Sequence, residues 1–526
     1  MSSPTLPDDL RRPEAYPWRP ERVELIETHI SWVFLAGDRV VKVKRPVRLD
    51  FVDQSTAEAR RTICADEVRL NRRLTDGVYL DVVPITREAD GLAVDGAGEA
   101  VEWATLMRRL PAGRMLDALI AAGDVPADLA DRLADRLVPF HRDALPCPGD
   151  PEALSAAATA VMTENLDELA ALMRGRPFAV ELGLIMDAAR AFIDASGDLL
   201  LARARQGWIR DGHGDLRAEH ICLDGGVQVF DCVEFSEAIR CADVGSDLAF
   251  LLMDLDRLGV DPAVGARLVA RYREAGIDLP GDLLALYRVH RALVRAKVNA
   301  IRMAESDADD DTAMLADVAT YLHTAAGDAI AGGSVAIAMT GLSGTGKSTV
   351  ARQLARVLGA ARIRSDVVRK ALAGVRGSAA ADWQGGIYAE DVTAATYERM
   401  IELGRETVSA GRPAVLDATF LDARWREAVA AMAREAGVPG LLGETVTDAA
   451  VLERRLAARA RAGSDPSDAD VAVMRRQREA LATAPVGVPA GSLVARIDTT
   501  PEGWVDLDPA LAALRDAGVV AGRIGE

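Results

Sequence analysis

Lysine is scarce in this chain of 526 residues. Only five of its 62 basic residues are lysines, and they stand at positions 42, 44, 297, 347 and 370. At positions where either basic side chain would serve, this chain therefore uses arginine. A lysine that is kept needs a specific reason, because its compact ammonium on a flexible stem differs in geometry from the planar guanidinium of arginine. We therefore treat Lys42, Lys44 and Lys347 as candidate functional residues.

Long apolar runs and paired cysteines are also missing. No uninterrupted apolar stretch reaches the roughly 18 residues that a membrane span requires, and the N-terminal residues lack the apolar centre of a signal peptide. The five cysteines form no C-x-x-C pair, so the sequence favours neither a zinc site nor a disulfide framework. We expect reduced thiols in or near the core and a cytoplasmic location.

Acidic residues outnumber basic ones, and the formal net charge is −18. Binding to nucleic-acid backbones is dominated by lysine and arginine that neutralise phosphates, so this balance disfavours nucleic acid as a general partner. A hydrophobic content of 49% beside 27% charged residues indicates globular material. A chain of this length exceeds what a single core supports, and two or three domains are expected.

A glycine-rich loop is the most informative feature that the sequence contains. Residues 341–348 read GLSGTGKS, the pattern G-x-x-x-x-G-K-S whose backbone amides wrap a polyphosphate. The apolar run 335–339 predicts a strand before it, and 349–358 predicts a helix after it. Lys347 would reach the β and γ phosphates of a nucleotide, and Ser348 would hold Mg2+. The predicted nucleotide-binding residues are Gly341, Ser343, Gly344, Thr345, Gly346, Lys347, Ser348 and Thr349.

The residues before this loop predict a strand-rich lobe followed by a helical lobe. A helix is expected at about 55–74, and Ala/Leu-rich helices fill most of the chain from there to about residue 325. The predicted strands are 30–35, 39–44, 79–85, 92–94, 103–107, 221–223 and 227–230. The predicted domains are 1–325 and 334–526, with a linker at 326–333.

A second motif lies at residues 212–220, which read GHGDLRAEH. Protein kinases use H-R-D-x-x-x-x-N, in which the Asp takes the proton of the substrate hydroxyl, the Asn binds Mg2+ and a later Asp also holds metal. Asp215, His220 and Asp231 stand at these three places. On these residues the N-terminal domain resembles the aminoglycoside phosphotransferase and kinase-like superfamily. The resemblance implies that Asp215 is the catalytic base and that Asp231 and His220 occupy the metal positions.

The resemblance also implies upstream residues that would hold the nucleotide. Lys42 and Lys44 point to the same face of their strand, so either can pair with the phosphates, and we favour Lys42. Glu67 on the next helix would orient that lysine. The backbones of Met107 and Arg109 would bond adenine, and residues 28–31 would cover the phosphates, although they lack the Gly-rich pattern of protein kinases.

One departure from the family pattern concerns the second metal ligand. His220 stands where the family has Asn, and Mg2+ prefers oxygen ligands to imidazole nitrogen. Three outcomes stay open: a weakly held second metal, a preference for Mn2+, or a site that binds nucleotide without efficient transfer. A buried His bonded only to its surroundings is a fourth. Arg217 also replaces the usual His of the loop.

The residues after the glycine-rich loop supply further candidates. Asp366 and Arg369 form a D-x-x-R pair that resembles small-molecule and polynucleotide end kinases of the P-loop class, including gluconate-kinase-like proteins. By that resemblance Asp366 would act as base and Arg369 would orient acceptor or phosphate. Asp417 ends an apolar strand, where it would act on the water shell of Mg2+. A lid is predicted around 463–468, preceded by Arg454, Arg455, Arg459 and Arg461.

Together these patterns predict an α+β bilobal protein-kinase-like domain followed by an α/β P-loop NTPase domain with a central parallel sheet. The expected function is bifunctional transfer of the γ-phosphoryl of ATP to a hydroxyl of a sugar, amino sugar or polyol, with Mg2+, or Mn2+ at the N-terminal site. The alternatives are one active P-loop kinase with a degenerate regulatory partner, a non-catalytic nucleotide sensor, and nucleic-acid end repair, which the charge disfavours. The sequence specifies no oligomeric state.

Overall fold

A computed structural model describes the protein over residues 6–49, 52–306, 311–372, 374, 390–462, 474, 477–478 and 487–522. Its helices are α1 (Leu6–Leu10), α2 (Ala57–Asn71), α3 (Leu116–Ala122), α4 (Leu129–Asp143), α5 (Pro151–Leu172), α6 (Ala179–Ala195), α7 (Gly197–Arg205), α8 (Glu237–Arg240), α9 (Val244–Arg257), α10 (Pro262–Glu274), α11 (Gly281–Glu305), α12 (Thr312–Ala329), α13 (Lys347–Leu358), α14 (Ser365–Leu372), α15 (Glu390–Ser409), α16 (Ala423–Glu435), α17 (Ala449–Ala462) and α18 (Asp508–Asp516). In the described ranges, no helix has the length and apolar character needed to cross a membrane.

The strands are numbered in chain order. They are β1 (Val23–Glu27), β2 (Ser31–Ala36), β3 (Arg39–Lys44), β4 (Arg48–Leu49), β5 (Val52–Asp53), β6 (Tyr79–Glu88), β7 (Gly91–Val94), β8 (Glu99–Arg108), β9 (Ile209–Asp211), β10 (Ile221–Leu223), β11 (Val227–Val229), β12 (Cys241–Asp243), β13 (Ile330–Gly332), β14 (Ala336–Thr340), β15 (Ala361–Arg364), β16 (Ala414–Asp417), β17 (Gly440–Val446), β18 (Leu493–Asp498) and β19 (Val520–Gly522).

By its packing the chain forms two compact units that are not contiguous in sequence. Unit 1 comprises residues 1–158 and 198–287, and unit 2 comprises 159–197 and 288–526. The segment 159–197 and the helices after residue 288 thus pack with the C-terminal residues. The predicted linker at 326–333 was placed from the order of motifs along the chain, whereas the two units are defined by packing. The linker therefore stays a prediction.

Unit 1 contains an antiparallel sheet of six strands in the order β1-β2-β3-β8-β6-β7. The predicted hairpin at 30–44 is confirmed as β2 and β3, in which Ser31 pairs with Lys44. The following helix, α2, begins after Thr56, whose hydroxyl accepts a hydrogen bond from the amide of Ala59 at 3.2 Å. Strand β1 was not predicted, because its alternation is weak and its residues are half-buried or exposed.

The helical part of unit 1 holds the loop 212–220 between two strand pairs. The β9 strand before the loop pairs with β12, and the β10 strand after it pairs with β11 in the predicted second hairpin. Helix α9 follows β12, and Asp243 caps it by accepting from the amide of Gly245 at 2.7 Å. Because strands flank it on both sides, the loop is held at both ends.

The expectation that all cysteines are reduced is wrong for one pair. Cys147 and Cys241 form a disulfide with their Cα atoms 5.7 Å apart, although 94 positions separate them in sequence. Antiparallel pairing of β9 with β12 and a bridge between Pro146 and Arg210 bring the two segments together. Sequence spacing could not show this, because the contact depends on how distant strands pair. The other three cysteines, Cys64, Cys222 and Cys232, are free and buried, as expected.

Unit 2 contains a parallel sheet of five strands in the order β15-β16-β14-β17-β18. All five residues of the central strand β14 are buried, which agrees with a parallel sheet covered on both faces. Helices α15 and α16 pack on the sheet in a core that includes Met400, Leu416 and Met432. The predicted fold class, a kinase-like α+β part and an α/β P-loop part with a parallel sheet, is therefore the one observed.

Candidate active sites

A cluster of buried charges centres on Lys42 of β3 in unit 1. The Lys42 Nζ atom lies 2.7 Å from Glu67 Oε1 and 2.8 Å from Asp231 Oδ1. Burial alone would lower the pKa of Lys42, but Asp231 and Glu67 outweigh it and raise that pKa well above its usual value. Desolvation likewise opposes ionisation of Asp231, although 42% of its side chain is exposed, and Lys42 and His220 hold its pKa well below the usual range. The three predicted residues thus meet in one place.

Lys44 forms the inner half of the same cluster. Its Nζ atom lies 2.8 Å from Glu67 Oε2 and also bonds the carboxylate of Glu234. The side chain of Lys44 has no exposed surface, whereas that of Lys42 is 15% exposed. Glu67 therefore bridges two ammonium groups, of which only Lys42 reaches Asp231. Sequence analysis had not paired Glu234 with Lys44.

The candidate base Asp215 is bound by a neighbouring guanidinium. The Nε and Nη2 atoms of Arg217 donate to the two carboxylate oxygens of Asp215, each at 2.8 Å. Arg217 also bonds Glu219. A bidentate pair of this kind is among the stronger hydrogen-bonded contacts in proteins. Both carboxylate oxygens of Asp215 are thus engaged by Arg217.

Helix α9 fixes the backbone of the same loop. The carboxylate of Asp247 accepts from the amides of His213 at 2.5 Å and Gly214 at 3.0 Å. A Cβ atom at position 212 would lie 2.4 Å from Asp247 Oδ2, so only glycine fits there. Complete burial lowers the pKa of His213 to about 4. Asp247 is therefore a structural residue of the loop.

His220 lies between the candidate base and the candidate metal ligand. Its Nδ1 atom is 2.8 Å from the carbonyl oxygen of Asp215, and its Nε2 atom is 3.6 Å from Asp231 Oδ2. One imidazole nitrogen beside one carboxylate suits a softer ion such as Mn2+ better than Mg2+. Within the described ranges, no group of three or more His, Cys, Asp or Glu side chains is arranged to hold a metal. The donor set at this site fits Mg2+ poorly.

The predicted adenine contacts lie at the end of strand β8. Met107 pairs with Val40 on one side and with Tyr79 on the other. The amide of Arg109 donates to the carbonyl of Asp38 at 2.8 Å. Adenine recognition by these backbones stays a prediction, and the N–H of Arg109 already has an internal partner. The predicted phosphate cover at 28–31 is the tight turn that joins β1 to β2.

The glycine-rich loop of unit 2 joins β14 to α13, as predicted. Gly341 has a φ of 137°, and a Cβ there would lie 2.6 Å from Thr445 Oγ1. Gly344 has a φ of 88°, and a Cβ there would lie 2.7 Å from Leu452 Cδ1. Both positions therefore require glycine. Gly346, at φ 79°, is the residue from which α13 starts.

Polar contacts hold this loop in one shape. The hydroxyl of Thr499 donates to the carbonyl of Thr345 at 2.8 Å, and the amide of Ser343 donates to Gln477 Oε1 at 2.9 Å. The amide of Thr349 donates to the carbonyl of Gly346 at 2.9 Å, within the first turn of α13. The loop is therefore anchored by Thr499, the residue that follows β18.

Lys347 and Ser348 lie at the start of α13 and face different partners. The Lys347 Nζ atom donates to the carbonyl of Leu342 at 2.6 Å. The Ser348 hydroxyl lies 3.2 Å from Asp417 Oδ1 at the end of β16. Oxygen ligands of these two types are the ones that Mg2+ prefers, so this pair fits the ion. Arg362, which the sequence did not single out, bonds Asp417 Oδ2 at 2.6 Å.

The candidate acceptor pair lies at the start of α14, directly after β15. Arg369 Nη1 is 3.4 Å from Asp366 Oδ1, and the side chain of Asp366 is 22% exposed. Tyr397 of α15 adds an aromatic group, and its hydroxyl lies 3.2 Å from Thr419 Oγ1. Burial raises the pKa of Tyr397, so it stays a neutral phenol at neutral pH. Tyr397 had no sequence motif to reveal it.

Two of the four predicted lid arginines bond residues that follow β18. Arg455 donates to the carbonyl of Thr499 at 2.6 Å, and Arg454 pairs with Glu502 at 2.7 Å. The side chains of Arg459 and Arg461 and the segment 463–473 lie outside the described residues. The lid therefore stays a prediction.

Comparisons with known proteins cover both halves of the chain. Residues 337–484 match the family model described as an AAA domain. The chain is 32% identical over 469 residues to the uncharacterized protein Rv2004c of Mycobacterium tuberculosis (strain ATCC 25618 / H37Rv), which covers 87% of this chain and 90% of that protein.

Solved structures also match each half of the chain. The GDP complex of aminoglycoside 2'-phosphotransferase-IIIa covers 59% of this chain and 92% of its own at 16% identity, with a TM-score of 0.33. A gluconokinase from Sinorhizobium meliloti 1021 covers 35% and 93% at 19% identity, with a TM-score of 0.24. Since a relative above 30% identity spans most of both chains, the protein belongs to the family of Rv2004c, and the residues that match the AAA domain model include the P-loop.

Proposed function

We propose that the protein is an ATP-dependent phosphotransferase that carries the γ-phosphoryl group to a hydroxyl of a small molecule at the P-loop of unit 2. One observation carries the proposal: three candidate groups meet at the carboxyl edge of the parallel sheet. The P-loop follows β14, Asp417 ends β16, and Asp366 follows β15. Ligands of open α/β sheets bind at this edge.

Each residue at this edge has a defined task in the proposed reaction. Lys347 exchanges the carbonyl of Leu342 for the β and γ phosphates, while the amides of the loop and the start of α13 hold the remaining oxygens. Ser348 and Asp417 would hold Mg2+, which neutralises charge on the phosphates. Asp366 accepts the proton of the attacking hydroxyl, and Arg369 keeps Asp366 oriented.

The acceptor class follows from the residues around Asp366. A partly exposed carboxylate beside a buried Arg and a buried Tyr offers hydrogen bonds to hydroxyl groups. A sugar, an amino sugar or a polyol fits this chemistry. Such metabolites and ATP are found together in the cytoplasm, where we place the protein.

The kinase-like site of unit 1 is proposed to bind nucleotide in a regulatory role. Lys42, Glu67 and Asp231 are assembled as nucleotide binding requires, but the oxygens of Asp215 are engaged by Arg217. A base must present a free oxygen to the hydroxyl that it deprotonates. This observation favours one active kinase with a nucleotide-binding partner domain over two active kinases.

Phosphorylation of a panel of sugars, amino sugars and polyols with γ-labelled ATP tests the proposal. With an accepted substrate, Asp366→Asn is expected to lower turnover by about 100-fold or more, because the general base is lost. Asp422→Asn, which removes an exposed capping carboxylate from α16, is the matched control. Unchanged turnover in Asp366→Asn would refute Asp366 as the base, and no labelled product from any alcohol would refute the acceptor class.

A further inference from the structure

A cavity of about 290 Å3 adjoins the P-loop on the side of Gly346 and Thr349. Its volume is close to the lower limit of pockets that hold small ligands, about 300 Å3. It is lined by Ala319, Thr320, His323, Gly346, Thr349, Gln353, Arg455, Thr499, Pro501, Gly503, Trp504 and Val505, all of which belong to unit 2. No residue proposed for phosphate transfer, other than those of the loop itself, borders it.

One wall of this cavity comes from helix α12, which precedes the AAA domain in sequence. Ala319, Thr320 and His323 lie on that helix, whereas the family match begins at residue 337. The predicted P-loop domain at 334–526 would therefore lack this wall. This cavity opens on the phosphate-binding loop, and groups outside the matched AAA domain close it. Such a cavity is suited to recognising the group that carries the phosphates.

The polar groups of the α12 wall are fixed in orientation. The Nδ1 atom of His323 lies 2.8 Å and 3.0 Å from the two carboxylate oxygens of Glu181, and Glu181 is fully buried. Asp508 in turn accepts from the amides of Val180 and Glu181, each at 2.9 Å, at the start of α6. Since the ring of His323 is 2% exposed and held by a buried acid, it offers a preset edge to a ligand.

The lining of the cavity also includes a donor that needs a partner. Trp504 Nε1 is buried and has no hydrogen bond to any residue in the described ranges. Arg455 holds the neighbouring loop by donating to the carbonyls of Thr499 and Pro501. A buried N–H without an acceptor is disfavoured, so an acceptor on a ligand in this cavity would stabilise it.

We propose that this cavity is the nucleoside pocket of the P-loop site and that α12, through Thr320 and His323, gives the site its selectivity for a nucleotide over bare phosphate. The base and ribose would enter between α12 and Trp504, and the triphosphate would lie along Gly346 to Thr349. The inference rests on the proposed function, because it assumes that the P-loop holds the triphosphate.

Calorimetric titration of the full chain with ATP and with inorganic tripolyphosphate tests the inference. All variants carry Lys42→Met, which removes nucleotide binding at unit 1. Thr320 is half-buried and borders the cavity, so Thr320→Phe puts a ring into the space of the nucleoside. Ala313→Phe adds the same ring at an exposed position of α12 and is the matched control. Trp504→Phe keeps the aromatic ring and removes only the N–H.

In the protein that carries Lys42→Met alone, we expect ATP to bind at least about 10-fold more tightly than tripolyphosphate, because only ATP fills the cavity. Thr320→Phe should remove that advantage and leave the affinity for tripolyphosphate unchanged, and Trp504→Phe should remove part of it. Ala313→Phe should alter neither affinity. Equal ATP affinity in Thr320→Phe and Ala313→Phe, or an equal loss for both ligands, would overturn the inference.

One further variant separates this failure from failure of the proposed function. Lys347→Ala is expected to abolish tripolyphosphate binding. Should tripolyphosphate bind equally well without Lys347, the P-loop would not be the phosphate site, and the proposed function would fall together with the inference. Should binding depend on Lys347 while Thr320→Phe has no effect, only the inference would fall.

Discussion

The two candidate sites hold their lysines in opposite ways. Lys42 lies among carboxylates that come from distant parts of the chain, including Asp231, which is 189 positions away. Lys347 lies in a loop of glycines and donates to a carbonyl five positions away. The first lysine is held by carboxylates from distant segments, whereas the second bonds a backbone carbonyl of its own loop.

This difference indicates how each site would respond to damage. Removing one member of a buried charge cluster leaves the other charges unpaired, so the cost falls on stability. Removing a lysine bonded to a backbone carbonyl takes away one hydrogen bond, so the cost falls on ligand binding and transfer. The two sites can therefore be told apart by whether a substitution changes folding or activity.

The largest effect is expected on activity, from Lys347→Ala. This change removes the cation that contacts the transferring phosphate, and we expect ATP turnover to fall by about 1,000-fold or more. Thermal unfolding should change little. Lys297→Ala, which breaks a pair with the half-exposed Glu168, is the control and should keep full turnover. Turnover within about twofold of the unaltered protein would contradict a phosphate role for Lys347.

The next effect is expected on stability, from Glu67→Gln. The change leaves the ammonium groups of Lys42 and Lys44 without the acid that bridges them, and we expect the free energy of unfolding to fall by about 3–5 kcal/mol. Glu168→Gln breaks an exposed Glu–Lys pair and should cost about 1 kcal/mol or less. Denaturant unfolding of both variants measures the two losses of stability. An equal loss in Glu67→Gln and Glu168→Gln would show that the charge cluster around Lys42 is not buried.

The third effect concerns pH and the buried His213. In the unfolded chain a histidine binds a proton below about pH 6.5, but folding lowers the pKa of His213 to about 4. Between these values unfolding takes up a proton, so stability falls as the pH falls, by up to about 3 kcal/mol. Denaturant unfolding should show that, between pH 7 and pH 4, the free energy of unfolding of His213→Asn falls by up to about 3 kcal/mol less than that of the unaltered protein. Identical pH profiles would contradict the burial of a neutral imidazole.

The carboxylates of the cluster act over a lower pH range than His213. Their folded pKa values are lowered, so Glu67 and Asp231 stabilise the fold above about pH 4 and lose that contribution as the pH falls further. The loss above pH 4 therefore does not come from these two carboxylates. This order of events separates the two contributions in a single titration.

The smallest effect is expected from Asp215→Asn in the kinase-like site. Because Arg217 occupies both oxygens of Asp215, we expect ATP turnover with the accepted substrate to change by less than about twofold. A decrease of more than about 10-fold would show that Arg217 releases Asp215 during turnover and that both sites transfer phosphate. The same measurement on Asp366→Asn gives the reference for a working base.

Local patterns in the sequence predicted much of both sites. The P-loop could be predicted because its strand, glycines, lysine and helix are consecutive in sequence. The structure requires glycine at Gly341 and Gly344. The hairpin that holds Lys42 could be read from alternating residues. The meeting of Lys42, Glu67 and Asp231 was implied by the resemblance to the kinase-like superfamily and is seen in the structure.

What the sequence missed depends on contacts between distant segments. The disulfide between Cys147 and Cys241 needs the pairing of β9 with β12, and the bond between Arg362 and Asp417 needs β15 to lie beside β16. The bidentate contact from Arg217 to Asp215 depends on side-chain rotamers within a loop. Neither hydrophobic periodicity nor motif spacing reports such contacts.

The central claim is that the chain holds two nucleotide sites, of which the P-loop site transfers phosphate. Calorimetric titration with a non-hydrolysable ATP analogue in Mg2+, repeated in Mn2+, counts the sites most directly. We predict two sites in the unaltered protein and one in Lys347→Ala, with the remaining site strengthened by Mn2+ because of His220. A single site that Lys347→Ala removes entirely would contradict the claim, because the Lys42 cluster would then bind no nucleotide.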